Sequence, residues 1–390
     1  MLTGVFPSNQ FESITTGPLR LVKCMGDHLT CGLLQLEHIY EQGEMYGEGY
    51  GYRSGLNPLM VTHLQEKVQK IQTYVNLSEQ DLVIDIGSND GTTLSAYPDC
   101  GLKLVGIDPA GSKFREFYPP HVEIISDFFS SILIKNHFQG QQAKVITSFA
   151  MFYDLEDPIA FMREVSEVLA DDGIWVFEQS YMPTMLEMNA YDTVCHEHLE
   201  FYALAQIKWM ADRVGFKIID VEFNDVNGGS FSVVVCKTIS FQQPRIDIEK
   251  LLNDETAKGL DTMAPYLAFA QRVTQSKQEI LKFIKTVREL NKTVMLLGAS
   301  TKGNVLLQYC GVNATDLPFV GDVNPLKYGC FTPGSWIPII SEEDLLNKKP
   351  DYLIVLPWHF RRFFINNSKF SGINLVFPLP NFEIIPAITQ

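Results

Sequence analysis

A twelve-residue stretch, YDTVCHEHLEFY at 191–202, carries side chains that can exchange protons near pH 7. Removing a proton from a carbon next to a carbonyl requires a base, together with donors that hold the developing enolate oxygen. His198 is a base of suitable strength, and Glu197 beside it can orient the imidazole or contact a substrate. His196 and His198 are two positions apart, which suits neither a helical i, i+4 zinc pair nor a Cys-x-x-Cys knuckle. The stretch is a candidate acid–base site, with a structural histidine as the alternative.

Donors for such a site occur in YGYRSG, where Tyr50, Tyr52 and Arg53 supply two phenols and a guanidinium. The flanking glycines predict a flexible loop that closes over a site.

The turn VIDIGSNDGTTL follows an apolar run and has the form D-x-G-x-x-x-G rather than G-x-G-x-x-G. Open α/β sheets bind ligands at the carboxyl ends of their strands. An acid after the next strand can accept from ribose hydroxyls, and a third acid can meet an adenine amino group. This set resembles the S-adenosylmethionine (SAM) site of class I methyltransferases more than a dinucleotide fold, with helix capping by the two later acids as the alternative. The candidate cofactor residues are Asp85, Gly87, Asn89, Gly91, Asp108, Asp127 and Phe128.

A second strand-to-helix turn, GASTKGN at 298–304, contains Lys302. A lysine beside backbone N–H groups at a helix N-terminus predicts an anion or phosphate site. A glycine turn with a surface lysine is the alternative.

Composition excludes several classes of function. The net charge of −15, from 46 acids against 31 bases, disfavours nucleic-acid binding. We find no apolar run of 18 residues and no signal peptide, so we expect a cytoplasmic protein without a membrane span. Seven scattered cysteines favour reduced thiols. Cys24 and Cys31 are candidate zinc ligands with His28 as a third, but a structural site needs four.

Apolar runs alternate with helical patterns, which predicts a parallel doubly wound sheet. FKIIDVEFNDVNGGSFSVVVCK predicts an antiparallel pair joined at Asn-Gly-Gly. From about 291 a second, smaller α/β unit begins. We predict an irregular N-terminal lobe at 1–62, a methyltransferase-type domain at 63–243, a helical connector at 244–290 and a Rossmann-like domain at 291–390.

Five blocks, in order, resemble the sugar C-methyltransferases that build C-3-methylated deoxysugars: YGYRSG, DIGSNDGT, HEH, NGGS and GASTKGN with PDYLIVLPW. The resemblance spans nearly the whole chain. It implies a small zinc-binding lobe, a SAM-binding class I methyltransferase domain and a C-terminal Rossmann-like domain. It also implies a nucleotide-linked 4-keto sugar as substrate. The family lobe has two Cys pairs, so the lobe of this chain is degenerate or truncated. The chain also has Cys195 where the family often has Tyr, and Asn227 where His is expected.

The resemblance further implies that His198 is the base, supported by Glu197 and a tyrosine of YGYRSG, Tyr50 or Tyr52. The C-terminal domain would help to hold the nucleotide diphosphate. The candidate substrate-binding residues are Arg53, His196, Asn227, Lys302 and Asn304. Three alternatives stay open: a SAM-dependent O- or N-methyltransferase, an NAD-dependent oxidoreductase, and an inactive nucleotide-binding protein.

Overall fold

The computed structural model describes residues 1–9, 13–26, 29–45 and 52–388. Within these ranges the chain forms sixteen strands and eleven α-helices. The strands are β1 (Leu21–Lys23), β2 (Leu34–Leu36), β3 (Leu82–Ile86), β4 (Lys103–Ile107), β5 (Glu123–Ile125), β6 (Ala143–Phe149), β7 (Leu169–Ser180), β8 (Glu200–Phe201), β9 (Phe216–Asn224), β10 (Ser230–Lys237), β11 (Val294–Leu297), β12 (Val320–Asp322), β13 (Ile339–Ser341), β14 (Tyr352–Val355), β15 (Asn374–Phe377) and β16 (Glu383–Ile385). The helices are α1 (Gln42–Met45), α2 (Pro58–Ile71), α3 (Ser131–His137), α4 (Pro158–Val168), α5 (Met182–Glu187), α6 (Leu204–Val214), α7 (Ile248–Ala257), α8 (Ala264–Glu289), α9 (Thr301–Cys310), α10 (Glu342–Asn347) and α11 (Arg361–Asn366).

A seven-stranded sheet with the order β5-β4-β3-β6-β7-β10-β9 carries the first glycine turn. Its first five strands are parallel, and β10 and β9 join antiparallel at one end. Helices cover both faces, so β3 is buried along its whole length. On one face α2 packs Val68 and Ile71, and on the other α4 packs Met162 and Val165. This arrangement confirms the predicted doubly wound fold with its antiparallel pair.

A second sheet, with the order β13-β12-β11-β14-β15-β16, confirms the smaller C-terminal α/β unit. All of its pairs are parallel except β15 with β16. The turn at 298–300 connects β11 to α9, whose N-cap Ser300 accepts from the Gly303 N–H. Lys302 therefore lies in the first turn of a helix at the carboxyl end of a central strand.

The N-terminal segment is joined to the middle of the chain by a third sheet, β1-β2-β8. Strand β2 pairs antiparallel with β8, which begins two residues after His198. The predicted connector forms two helices, α7 and α8, and Phe283 of α8 packs on Tyr352 of β14. The strand pairing does not determine where each domain begins and ends. The predicted domain borders therefore stay predictions. In the described residues, none of the helices combines the length and the apolar character that a membrane span requires.

Candidate active site

A cleft of about 230 Å³ lies at the carboxyl ends of the parallel strands of the larger sheet. The glycine turn after β3, the ends of β4 and β7, and the loop before α2 form its walls. Its apolar wall includes Ile107, Ala110, Phe129, Phe149 and Met151. Of the candidate cofactor residues, six line it: Asp85, Gly87, Asn89, Asp108, Asp127 and Phe128.

The Asp108 carboxylate is fixed by backbone donors on both sides. The Asn89 N–H donates to Oδ2 at 2.8 Å, and the Ala110 N–H donates to Oδ1 at 2.8 Å. Burial raises the pKa of Asp108, and these two donors oppose the shift. Each oxygen has a further lone pair, which fits the ribose hydroxyls of a nucleoside.

Asp85 lies deeper, where the Thr147 hydroxyl donates to its Oδ1 at 2.5 Å. Burial raises the pKa of Asp85 to about 7, while hydrogen bonds from Thr147 and Thr93 act in the opposite direction. A cation in the cleft would favour the ionised form of this carboxyl. Asp127 and Phe128 lie at the exposed outer end, where the Phe128 N–H donates to Asp127 at 2.7 Å. Together with the apolar wall, these residues fit an adenosine that carries a cationic group.

Two residues of the turn with positive φ, Gly91 and Asn89, make contacts that hold the turn against other parts of the protein. Gly91 does not line the cleft, and a Cβ there would lie 2.6 Å from the Tyr118 ring. Its φ of 74° and this close approach require glycine. Asn89, with φ of 50°, uses its side chain on the loop before α2. Its Oδ1 accepts from the Ser54 N–H at 3.0 Å, and its Nδ2 donates to the Tyr52 carbonyl at 3.0 Å.

This clamp positions the predicted donor loop. Tyr52 lines the cleft, as expected for a residue of a closing loop. Arg53 lies outside it, because its Nε donates to Asp90 at 3.4 Å and its guanidinium lies 3.5 Å from the Phe117 ring centre. The Gly55 N–H also donates to Asp90, at 3.0 Å. Tyr50 lies outside the described residues.

His198 lies directly behind the cleft wall. Its ring centre is 4.2 Å from that of Tyr153, which lines the cleft. Nδ1 lies 2.8 Å from the Thr193 carbonyl, so Nδ1 carries the hydrogen and Nε2 keeps a lone pair. Burial, and then the nearby Lys302 charge, lower the pKa of His198 to about 3, against the Thr193 hydrogen bond. The imidazole is therefore neutral near pH 7.

The structure brings Lys302 and Asn227 together at this point. The Lys302 ammonium donates to the Asn227 carbonyl at 2.8 Å, and Asn227 lines the cleft. Burial lowers the pKa of Lys302, and the Asp192 carboxylate opposes that shift. The Lys302 side chain is half-buried against the cleft lining, and an anion site at this turn stays a prediction. Burial and the Lys302 charge also lower the pKa of His359 to about 3.

Three other candidates face the N-terminal segment instead of the cleft. Glu197 accepts from the Thr3 hydroxyl at 3.3 Å, and burial raises the pKa of its carboxyl. His196 Nε2 donates to the Gly17 carbonyl at 3.2 Å. The Asn304 amide, fully buried, donates to the Thr3 carbonyl at 2.7 Å. None of the three lines the cleft in the described residues.

Three polar residues that line the cleft were not predicted from the sequence: His63, Glu178 and Gln179. His63 Nε2 lies 2.6 Å from Glu178 Oε1. The signal that could have identified Glu178 and Gln179 is their place at the carboxyl end of the strand GIWVFEQS, the same rule that identified Asp108.

Cys24 and Cys31 are neighbours, because the Cys31 side chain hydrogen-bonds the Cys24 thiol. Both are free thiols, and His28 lies outside the described residues. Among the described residues, no cluster of three or more His, Cys, Asp or Glu side chains could hold a metal ion. A zinc site at this pair stays a prediction.

Comparison with known proteins gives matches along most of the chain. Residues 60–221 match the family model "Methyltransferase domain", and residues 225–380 match "C-methyltransferase C-terminal domain". The C-methyltransferase NovU of Streptomyces niveus is 29% identical over 377 residues, covering 96% of this chain and 89% of that protein.

Solved structures match about half of the chain. LepI bound to SAH and a substrate analogue is 12% identical, covers 47% of this chain and 54% of LepI, and gives a TM-score of 0.36. YcgJ of Bacillus subtilis is 15% identical, covers 45% of this chain and 98% of YcgJ, and gives a TM-score of 0.34. The two family models together span the two α/β units described above. The chain is thus a SAM-dependent methyltransferase rather than an NAD-dependent oxidoreductase, and along most of its length it is similar to a C-methyltransferase.

Proposed function

We propose that this protein methylates a carbon of a nucleotide-activated keto sugar, with His198 as the base that forms an enolate. The observation that carries the proposal is the geometry of His198, whose Nδ1–H is held by the Thr193 carbonyl so that Nε2 keeps a lone pair behind the cleft wall. A carbon-bound hydrogen becomes acidic enough for an imidazole only next to a group such as a ketone. The C-methyltransferase match and a base of this kind together support a keto substrate.

The cofactor end of the cleft is formed by Asp85, Gly87, Asp108, Asp127 and Phe128. We propose that Asp108 accepts from the ribose hydroxyls and that Asp127 with Phe128 meets the adenine. SAM bound there supplies an electrophilic methyl group. His198 would accept the C–H proton at Nε2, while Thr193 keeps the ring in one tautomer.

The proposal that the substrate contains a nucleotide rests on the resemblance to the sugar C-methyltransferases. Two lysines near the 298–304 turn are candidate partners for a diphosphate on the C-terminal side. Lys302 donates to the Asn227 carbonyl, and Lys327 donates to the Ala299 carbonyl at 2.7 Å. A diphosphate would replace these carbonyls as a stronger, charge-assisted partner.

The base is tested with His198→Asn. Loss of general-base catalysis should lower kcat by about 10²- to 10⁴-fold on a 4-keto nucleotide sugar. The Kd for SAM, measured by calorimetry, should stay within about twofold, because His198 does not line the cofactor end. His121→Asn, an exposed histidine, is the matched control. Full activity of the His198→Asn enzyme would remove the proposed base.

Proton abstraction from carbon is tested on the wild-type enzyme without SAM. The substrate carbon should exchange hydrogen for deuterium in D₂O, as followed by NMR. Methyl transfer without any such exchange would instead favour an O- or N-methyltransferase, which does not need to break a C–H bond.

A further inference from the structure

A second histidine, His63, lines the cleft and is paired with Glu178. Neither residue has a part in the mechanism above. His63 lies in α2, and Glu178 lies near the carboxyl end of β7. His63 Nε2 and Glu178 Oε1 are 2.6 Å apart, and their side chains are 13% and 8% exposed. An acid–base side chain held by a second group inside a cleft has the geometry of a catalytic pair.

Glu178 is held rigidly on its other oxygen. The Lys67 ammonium lies 2.9 Å from Oε2, and the Asn224 amide donates to the same atom at 2.9 Å. Burial raises the pKa of Glu178, but the hydrogen bond from His63 and the Lys67 charge outweigh it and lower the pKa overall. An ionised carboxylate only accepts hydrogen bonds, so His63 Nε2 carries the hydrogen of the pair. Nδ1 is then the ring nitrogen left for a ligand in the cleft, and it carries a hydrogen to donate when the ring is an imidazolium.

Strand order places this pair away from the adenosine end. Asp127 follows β5 and Asp108 follows β4, whereas Glu178 lies on β7, three strand positions from β4. Neighbouring strands are about 4.8 Å apart, so β4 and β7 are separated by about 14 Å. A nucleoside at β4 and β5 leaves the β7 end of the cleft to the methyl acceptor.

An independent observation supports a polar ligand group at this end. Gln179, next to Glu178, is 1% exposed and lines the cleft. Neither its Oε1 nor its Nε2 has a hydrogen-bond partner within the described structure. A buried amide without partners is costly, and a hydroxyl or carbonyl of the acceptor would satisfy it.

We propose that His63 is a catalytic residue that acts as an imidazolium. Its Nε2–H donates to Glu178, and its Nδ1–H donates a hydrogen bond to the carbonyl oxygen of the acceptor. The role rests on the proposed function, because it requires an enolate. His198 takes the proton from the carbon next to the carbonyl, and the C–H electron pair forms the enolate, whose oxygen charge His63 stabilises. The enolate carbon then takes the methyl group, the carbonyl re-forms, and SAH and a protonated base remain. The two histidines divide the work: His198 faces the Lys302 cation and accepts, whereas His63 faces a carboxylate and donates.

Two substitutions at position 63 separate the donor from the structural contact. Glutamine places its amide near the former Nε2, so His63→Gln keeps a partner for Glu178 and removes the donor at Nδ1. Asparagine places its amide near the former Nδ1, so His63→Asn keeps a donor toward the cleft. His137 is a matched control, since its Nε2 lies 2.5 Å from Glu123 Oε1 on the exposed surface.

We expect His63→Gln to lower kcat on the 4-keto nucleotide sugar by about 100-fold, the cost of one lost oxyanion donor. Deuterium exchange at the substrate carbon should slow to a similar extent, and the calorimetric Kd for SAM should stay within about twofold. His63→Asn should recover part of the rate, and His137→Gln should behave as wild type.

Either of two results overturns the role of His63 while the proposed function stands: a kcat of His63→Gln within about threefold of wild type, or a defect confined to the Kd for SAM. The second result would assign His63 to the cofactor. If the wild-type enzyme neither methylates nor exchanges any keto sugar of a nucleotide-linked panel, the proposed function fails, and the role of His63 fails with it.

Discussion

At the scale of single residues, the surroundings of His198 determine how it responds to pH. Burial and the Lys302 charge lower its pKa to about 3 from the ordinary value of 6.5. The folded protein therefore keeps this imidazole neutral at pH values where the unfolded chain binds a proton. Because the pKa of this group is lower in the folded protein, the protein loses stability as the pH falls below the pKa that the group has in the unfolded chain.

This linkage can be measured by urea unfolding at pH 7.5 and pH 5.0. Between these values the wild-type free energy of unfolding should fall by about 1–2 kcal/mol more than that of His198→Asn, which lacks the titrating group. The comparison between the two proteins removes the contribution of the other histidines and carboxyls. Equal losses in both proteins would contradict a neutral, buried His198.

The sequence identified residues by type and by strand position, and this worked where a strand sets the direction of the side chain. Asp108, at the end of β4, lines the cleft as expected. Glu197 and His198 are neighbours in sequence, but in an irregular segment their side chains face opposite sides, which no periodicity reveals. His63 was not identified because its partner Glu178 lies 115 residues away.

At the scale of elements, the glycine turn and the loop before α2 form one unit. Asn89 ties the two together through the Ser54 N–H and the Tyr52 carbonyl, while Tyr52 lines the cleft. The turn could be predicted from its glycines, because positive φ angles there require them. The contacts of Asn89 with the loop could not be predicted, because an asparagine in such a turn is equally suited to contacting the ligand.

The clamp is tested with Asn89→Gly. Glycine tolerates the φ of 50°, so the change removes the amide without adding backbone strain. Loss of two hydrogen bonds, each contributing about 1 kcal/mol, should loosen Tyr52 and weaken SAM binding by about tenfold. Asn291→Gly is the matched control, because Asn291 has φ of 53° but lies after α8. A calorimetric Kd for SAM equal to that of wild type would show that the loop holds without Asn89.

At the scale of the whole molecule, the segment 191–201 is where the parts of the chain meet. Its strand β8 pairs with β2 of the N-terminal segment. The Trp358 indole of the C-terminal unit donates to Asp192 Oδ2 at 2.8 Å. The alternation of strands and helices predicted both α/β units. It could not predict this junction, because the junction is made of contacts between residues more than 150 positions apart.

The Trp358–Asp192 bond is the last test, and it concerns how the C-terminal unit is held. Both side chains are buried, at 4% and 1% exposure, and burial raises the pKa of Asp192, with the Lys302 charge opposing. Trp358→Phe removes the donor and leaves the carboxyl buried without it, which should cost about 1–3 kcal/mol of unfolding free energy. Trp209→Phe is the matched control for loss of an indole, because the Trp209 Nε1 is buried without a partner in the described structure. Urea unfolding should show the larger loss for Trp358→Phe. Equal losses would mean that the indole only fills space, and that the C-terminal unit is held against the segment 191–201 by its apolar contacts and by Lys302.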